Sequence, residues 1–253
     1  MTEPMDENQF IEMTIAKHRE HFDHVYRLHQ LAQDSLGKYR GFTTNHYQAA
    51  VHLIFPRAYK SLDSIRRLCE VASCEDAAVI LRCLLNLTVV SRWISLKPEL
   101  RAIPAEWVTD VRKHYDAVRP QFEYKDKKGR VRMAKQWYEP EAHTILDIFK
   151  EVDLEKQYEE GYRPLSGVEH SDALAFFSMI AEAERKENER KLAIQSDLFV
   201  PHYLRNAFQY FADIFRTCNK TVAFTDEKQL EQTVTAGMKF YDSDMRARGI
   251  SPI

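Results

Sequence analysis

Apolar side chains recur at three- and four-residue spacing along most of the chain, and that rhythm is helical. Phe10, Met13, Phe22, Val25, Leu28 and Leu31 fall on compatible faces, which predicts one long amphipathic helix over residues 5–36, stopped by Gly37. Thr44 or Asn45 is placed to cap the next helix, over 47–72. There Val51, Ile54, Ala58, Ile65 and Leu68 make the apolar stripe and Arg57, Lys60 and Arg67 the opposite face. Residues 75–96 are apolar nearly all round, from Ala77, Val79 and Ile80 to Val90 and Trp93. Such a helix belongs at the buried centre of a bundle. Lys97-Pro98 ends it, and a further helix is expected over 104–118, stopped by Pro120.

The pattern then changes. Residues 122–135 alternate around Lys127-Lys128-Gly129, the signature of a β-hairpin. Helices are expected again over 140–149 and 153–160. Gly161 reads as a break, with a new helix over 166–190, an irregular piece or short strand over 192–197, and two helices over 201–223 and 226–245, the last capped by Thr225. No repeat, low-complexity tract or Pro/Ser/Gly-rich linker divides the chain. The expectation is one all-α domain over 1–253, a multi-helix bundle with a small β-hairpin near 122–134. Its parts are an N-terminal helix (1–40), core helices (45–120), the hairpin, and C-terminal helices (140–253).

Composition narrows the function classes. Lys plus Arg total 36 against 38 Asp plus Glu, a formal charge of −2, which argues against a chain coated for nucleic acid or for a membrane surface but leaves room for a local basic patch. At 44 % hydrophobic residues the chain has enough to build a core. Only seven of 253 residues are glycine, and none is spaced as a dinucleotide-binding turn, a P-loop or a hydrolase nucleophile elbow. Cys69, Cys74, Cys83 and Cys218 form no C-x-x-C pair and read as small hydrophobes of a reducing compartment. Residues 1–8 carry Glu3, Asp6 and Glu7 rather than a basic start, and Arg82, Asn86 and Arg92 interrupt the most apolar helix. A cytoplasmic protein with no signal peptide and no membrane span is therefore expected.

The most informative stretch is Tyr162-Arg163-Pro164-Leu165-Ser166-Gly167-Val168-Glu169-His170. Ser166 with Glu169 three residues on reads as a capping box, which sets His170 in a first helical turn and biases its imidazole toward the neutral form. Arg163 just before that helix end suits a phosphate or carboxylate. The plainer reading is an ordinary capped helix with His170 hydrogen-bonded in the core. Arg82 and Asn86 share a face of the apolar central helix, where a charge needs a polar cavity or a salt bridge. The cavity reading has them line one site with Tyr162, Ser166, Arg163 and His170.

Lys125, Lys127, Lys128, Arg130, Arg132 and Lys135 put six basic residues in eleven, flanked by Phe122, Tyr124, Trp137 and Tyr138. Basic groups interleaved with aromatics suit an RNA or DNA backbone and stacked bases, while a solvated charged loop is the plainer account. His18, His21, His24 and His29 drift around their helix, and no Glu-x-x-His occurs. Surface or partly buried histidines are expected there, with no metal and no cofactor.

The segment Ile80-Leu81-Arg82-Cys83-Leu84-Leu85-Asn86-Leu87 and the later Tyr162-Arg163-Pro164-Leu165-Ser166-Gly167-Val168-Glu169-His170 resemble, in order and spacing over about residues 51–177, a bacterial family of helical domains of unknown function. Its members carry an Arg-Ser-Leu-x-Glu helix and a Tyr-Arg-x-Leu-Ser-x-x-x-His motif; Asn86 here stands at the Glu. Arg163 through His170 is also similar to the R-x(4–6)-H motif of HEPN-type ribonucleases, common in toxin–antitoxin and phage-defence systems. That resemblance implies metal-independent RNA cleavage by a homodimer, with Arg163 steadying phosphate charge and His170 as the general acid/base. The alternative expectation is a non-catalytic helical module for a partner protein or small anion, with Arg82, Arg163 and His170 in a buried polar network.

Overall fold

A helix apolar on every side needs neighbours to pack against, and the chain sets helices before and after it in sequence along its length. The computed structural model describes residues 6–38, 46–96, 98, 123–125, 129, 131–133, 145–169 and 197–247. Among these, α1 spans Glu7–Lys17, α2 Arg19–Lys38, α3 His46–Glu70 and α4 Cys74–Leu96. Strands β1 (Glu123–Lys125) and β2 (Val131–Met133) follow. Next come α5 (Ile145–Glu151), the short α6 (Glu155–Gln157), a wide π-turn (Tyr158–Tyr162) and α7 (Arg163–Glu169). A 3-10 turn (Asp197–Phe199) leads into α8 (Val200–Val222), and α9 is Glu227–Ala247.

Helices α3, α4 and α8 pack mutually as the core triangle. The α5–α7 segment covers another side of α4, while α2 and α9 close over α8. The central helix is long and apolar enough to cross a membrane by length and composition, and 56 % of that stretch is buried against these neighbours. Phe55 of α3 meets Phe211 and Phe215 of α8 and Phe224 just beyond it, in stacked and tilted pairs with ring centroids 4.7–5.9 Å apart. Polar links fix the register. Arg92 Nε pairs with Asp213 Oδ2 at 2.6 Å, and the Trp93 indole donates to Glu151 Oε2 at 3.1 Å. The fully buried Tyr241 hydroxyl donates to the His21 carbonyl at 2.8 Å. Gly237 lets α9 lie directly on the Phe208 ring.

The all-α bundle is as expected, and so is the hairpin: β1 and β2 pair antiparallel, with Tyr124 opposite Arg132 and Lys125 opposite Val131, and Gly129 at φ 73°. Four local expectations are corrected. The N-terminal helix is two helices, because His18 leaves the helical region (φ −114°, ψ 27°) as its ring turns to Asp197. Gly37 does not stop α2, which runs through to Lys38. Asp226, not Thr225, caps α9, its carboxylate accepting from the Lys228 N–H at 3.3 Å. Gly161 does not break the chain, as the site below makes clear. The expected helix over 104–118 lies outside the described residues.

Candidate functional site

Pro164 has no N–H, and its ring collides with the carbonyl four residues back in a regular helix. The chain avoids this by widening. The Arg163 N–H reaches the Tyr158 carbonyl, five residues back, and the helix then continues as α7. Such π-turns cluster at functional sites. Gly161 makes this one fit, because a Cβ there would stand 3.2 Å from the Tyr210 hydroxyl and 3.5 Å from Leu85. Tyr158 and Tyr162 stack at 5.3 Å and both meet Phe149 edge-on, which pins the turn to α5.

This geometry overturns the capping box. Ser166 is half-buried within α7 rather than before a helix, so no free helix end with open N–H groups stands there. The dipole argument for a neutral His170 goes with it. His170 itself lies outside the described residues; the backbone is helical up to Glu169, the residue before it.

Arg82 and Tyr162 do meet. Arg82 Nη2 donates to the Tyr162 hydroxyl at 2.9 Å, and the guanidinium carbon lies 4.9 Å from the ring centre. Asn86, one turn on, is half-buried, and its Oδ1 has no hydrogen-bond partner among the described residues. Arg163 goes the other way. Its side chain is 63 % exposed and pairs with Glu159 Oε2 at 2.6 Å. That pairing, by hydrogen bond and charge, raises the pKa of a guanidinium already cationic. Among the described residues, therefore, Arg163 is not part of a buried network with Arg82. Of the basic hairpin residues, Lys125 lies in β1 and Arg132 in β2, while Lys127, Lys128 and Arg130 lie outside the described residues.

The π-turn and α8 enclose a cleft of about 150 Å3. Leu81 is its α4 residue, in place of the expected Arg82 and Asn86. Glu160, Gly161, Pro164 and Leu165 form one wall, and His202, Asn206 and Tyr210 of α8 form much of the other. Behind them Arg205 is buried, 1 % exposed, with Asp242 at 3.5 Å from Nη2. Its Nη1 faces Asn206 Oδ1 at 3.5 Å, at the limit of a hydrogen bond. A guanidinium only donates, so the Asn206 oxygen turns to Arg205 and the amide N–H₂ to His202 Nε2 at 3.0 Å. His202 Nε2 is therefore the acceptor and Nδ1 carries the proton. The ring edge reaches solvent, but the protein around it and the Arg205 charge push its pKa below the ordinary histidine value. Burial raises the Tyr210 phenol to about 12, which keeps it a donor. Sequence reading missed this α8 face. Its signal was a polar stripe, His202, Arg205, Asn206 and Gln209, at i, i+3, i+4 and i+7 in the first half of an amphipathic helix.

The N-terminal histidines are more buried than expected. His18 and His21 are 5 % and 6 % exposed, and each holds a carboxylate at 3.1 Å, Asp197 and Asp244. His24 stacks on Phe240 and His29 on Tyr59. Among the described residues no three or more His, Cys, Asp or Glu side chains group as metal ligands.

One protein-family model matches, over residues 48–188, and its description is a family of unknown function (DUF5677). The match takes in both the Arg82–Asn86 helix and the Tyr162–His170 stretch. No curated protein and no solved structure matches the chain.

Proposed function

The chain belongs to DUF5677, a family of unknown function, and we propose that it is a helical RNA-directed effector that cleaves or grips RNA at the Arg163–His170 segment. The observation that carries the reading is the exposure of Arg163, which follows the π-turn directly and lies between the cleft residues Gly161 and Pro164 in the chain. The guanidinium groups of Arg66 and Arg205 are buried, whereas that of Arg163 is open to solvent. An exposed one whose single partner among the described residues is an exposed carboxylate remains available to phosphate, because such surface pairs hold weakly.

In the cleavage step, His170 takes the proton of an RNA 2′-hydroxyl. The 2′ oxygen bonds to phosphorus, the bond to the 5′ oxygen breaks, and the leaving oxygen takes a proton back from the imidazolium. Arg163 holds the charge on the non-bridging oxygens. Arg82 acts through Tyr162, fixing the turn that feeds α7. The working unit in this reading is a homodimer, as in the ribonucleases the motif resembles, and the basic hairpin adds electrostatic attraction for the strand.

The test is incubation of the purified full chain with total RNA beside Arg163→Ala and His170→Ala. The expected result is cleavage by the parent, loss of cleavage in both variants, and thermal midpoints close to the parent's. Intact RNA with the parent, or cleavage undiminished in both variants, would overturn the reading.

A further inference from the structure

Hydrogen-bonding groups of a buried side chain are nearly always paired, so an unpaired one on the wall of a cleft needs a reason. The open cleft between the π-turn and α8 has several. Tyr210 is only 8 % exposed, lines the cleft, and its hydroxyl has no hydrogen-bond partner among the described residues. The side-chain amides of Gln157 and Gln209, on the same lining, have none there either. Asn206 occupies His202 Nε2 at 3.0 Å, which leaves the Nδ1–H of that ring without a partner among the described residues. Glu160 is the one carboxylate of the lining. Its partner there, Lys156, is 3.9 Å away with both groups about half in solvent, a pair that yields readily to a new donor.

The charges of the lining narrow what can satisfy these groups. Among the described lining residues there is no Lys or Arg, and the neighbouring Arg205 is buried and set against Asp242. Burial and the Arg205 charge hold His202 toward its neutral form. An anion therefore meets Glu160 and no cation on the lining. An apolar molecule covers the polar groups without pairing them, which costs free energy. An ammonium can use Glu160 but only donates, so it gives the imidazole N–H nothing to donate to. A hydroxyl both donates and accepts. A ring bearing several hydroxyls can thus pair with amide, phenol, imidazole and carboxylate alike, whichever of them each hydroxyl meets, while Leu81, Pro164 and Leu165 offer apolar surface to its C–H groups. At about 150 Å3 the cleft is well below the roughly 300 Å3 at which sites begin to enclose drug-sized molecules, so it holds one such ring and leaves any attached group outside. We propose that the cleft binds a neutral ring bearing adjacent hydroxyls, a pentose or hexose, either free or as the ribose of a nucleoside. The inference stands apart from the RNA reading, since it uses neither Arg163 nor His170.

The experiment follows the His202 imidazole and Tyr210 ring signals of the full chain by NMR as ribose, glucose, uridine or 2′-deoxyuridine is added, with inorganic phosphate and butylammonium as charged controls. The expected result is a saturable shift of both residues with a hydroxylated ring and none with either control. Tyr210→Phe and Gln209→Ala should each weaken that binding about fivefold at an unchanged thermal midpoint. Binding of the free sugars as well as uridine supports the proposal with a free sugar as the source. Binding of uridine alone, lost with 2′-deoxyuridine, supports it with a nucleoside's ribose as the source. No saturable shift with any of the rings, shifts with phosphate or butylammonium equal to theirs, or an affinity that both variants leave untouched would overturn it. RNA cleavage that depends on His170 while no ring binds would overturn this inference and leave the RNA reading standing.

Discussion

Arg82 grips Tyr162 twice: Nη2 donates to the phenol oxygen at 2.9 Å, and the guanidinium carbon lies 4.9 Å from the centre of the same ring. One side chain of the central helix thereby holds the last residue of the π-turn. Tyr162→Phe should keep the stacking on Tyr158 and lose the hydrogen bond, at a cost of about 1–2 kcal/mol. The double variant Arg82→Leu with Tyr162→Phe should fall short of the summed single losses by about 1 kcal/mol. Chemical denaturation of the four proteins measures this, and strict additivity would mean that the two groups do not cooperate.

Gly237 of α9 lies directly against the Phe208 ring of α8. A Cβ on Gly237 would sit 2.2 Å from Phe208 Cζ and under 3 Å from both neighbouring ring carbons. Gly237→Ala should therefore destabilise by about 1–3 kcal/mol, although alanine in an open helix position gains about 1 kcal/mol over glycine. Adding Phe208→Leu should recover part of the loss. A midpoint at or above the parent's for Gly237→Ala alone would contradict the close crossing.

Much of this architecture is legible in the amino-acid order, because burial imposes its own period. Residues 75–96 announce a central helix through apolar positions on every side, and α4 is found there. Alternation around Gly129 announces the hairpin, and the strands pair across it. Local punctuation misleads where tertiary contact overrides it. Gly161 and Pro164 read as a break, yet the absent Cβ seats the turn against Tyr210 and the absent N–H is met by a wider helical turn. The Ser166–Glu169 spacing resembles a cap only when the upstream helix is unseen. Arg82 and Tyr162 were singled out from order alone, and they meet across 80 residues. The Arg205–Asn206–His202 chain went unread because its meaning depends on which helix faces α8 at the π-turn.

Acid should weaken the fold in two stages. Burial lowers the pKa of His18, His24, His29, His52 and His202 from the ordinary 6.5. The unfolded chain then binds protons more readily than the folded one, so this stability is complete above about pH 6.5 and drains as pH falls below it. The carboxylates come later. At Asp63, hydrogen bonds from Arg66 and Arg67 outweigh the upward push of burial, and Arg216 holds Glu231 low. Their contribution is lost only as pH drops under the usual carboxylate range. The thermal midpoint should decline between roughly pH 7 and pH 5, with a shallower slope in His202→Gln. A flat midpoint over that window would contradict the burial of these rings.

The most direct test of the RNA reading is the chemistry of the cut ends. Purified full-length protein is incubated with a defined single-stranded RNA in excess chelator, beside His170→Ala, and the 3′ termini are identified by mass spectrometry. Attack by the 2′-hydroxyl leaves 2′,3′-cyclic phosphate on the upstream fragment, and the account expects those ends from the parent chain and none from the variant. Uncut RNA, or cut RNA bearing 3′-hydroxyl ends, would contradict it.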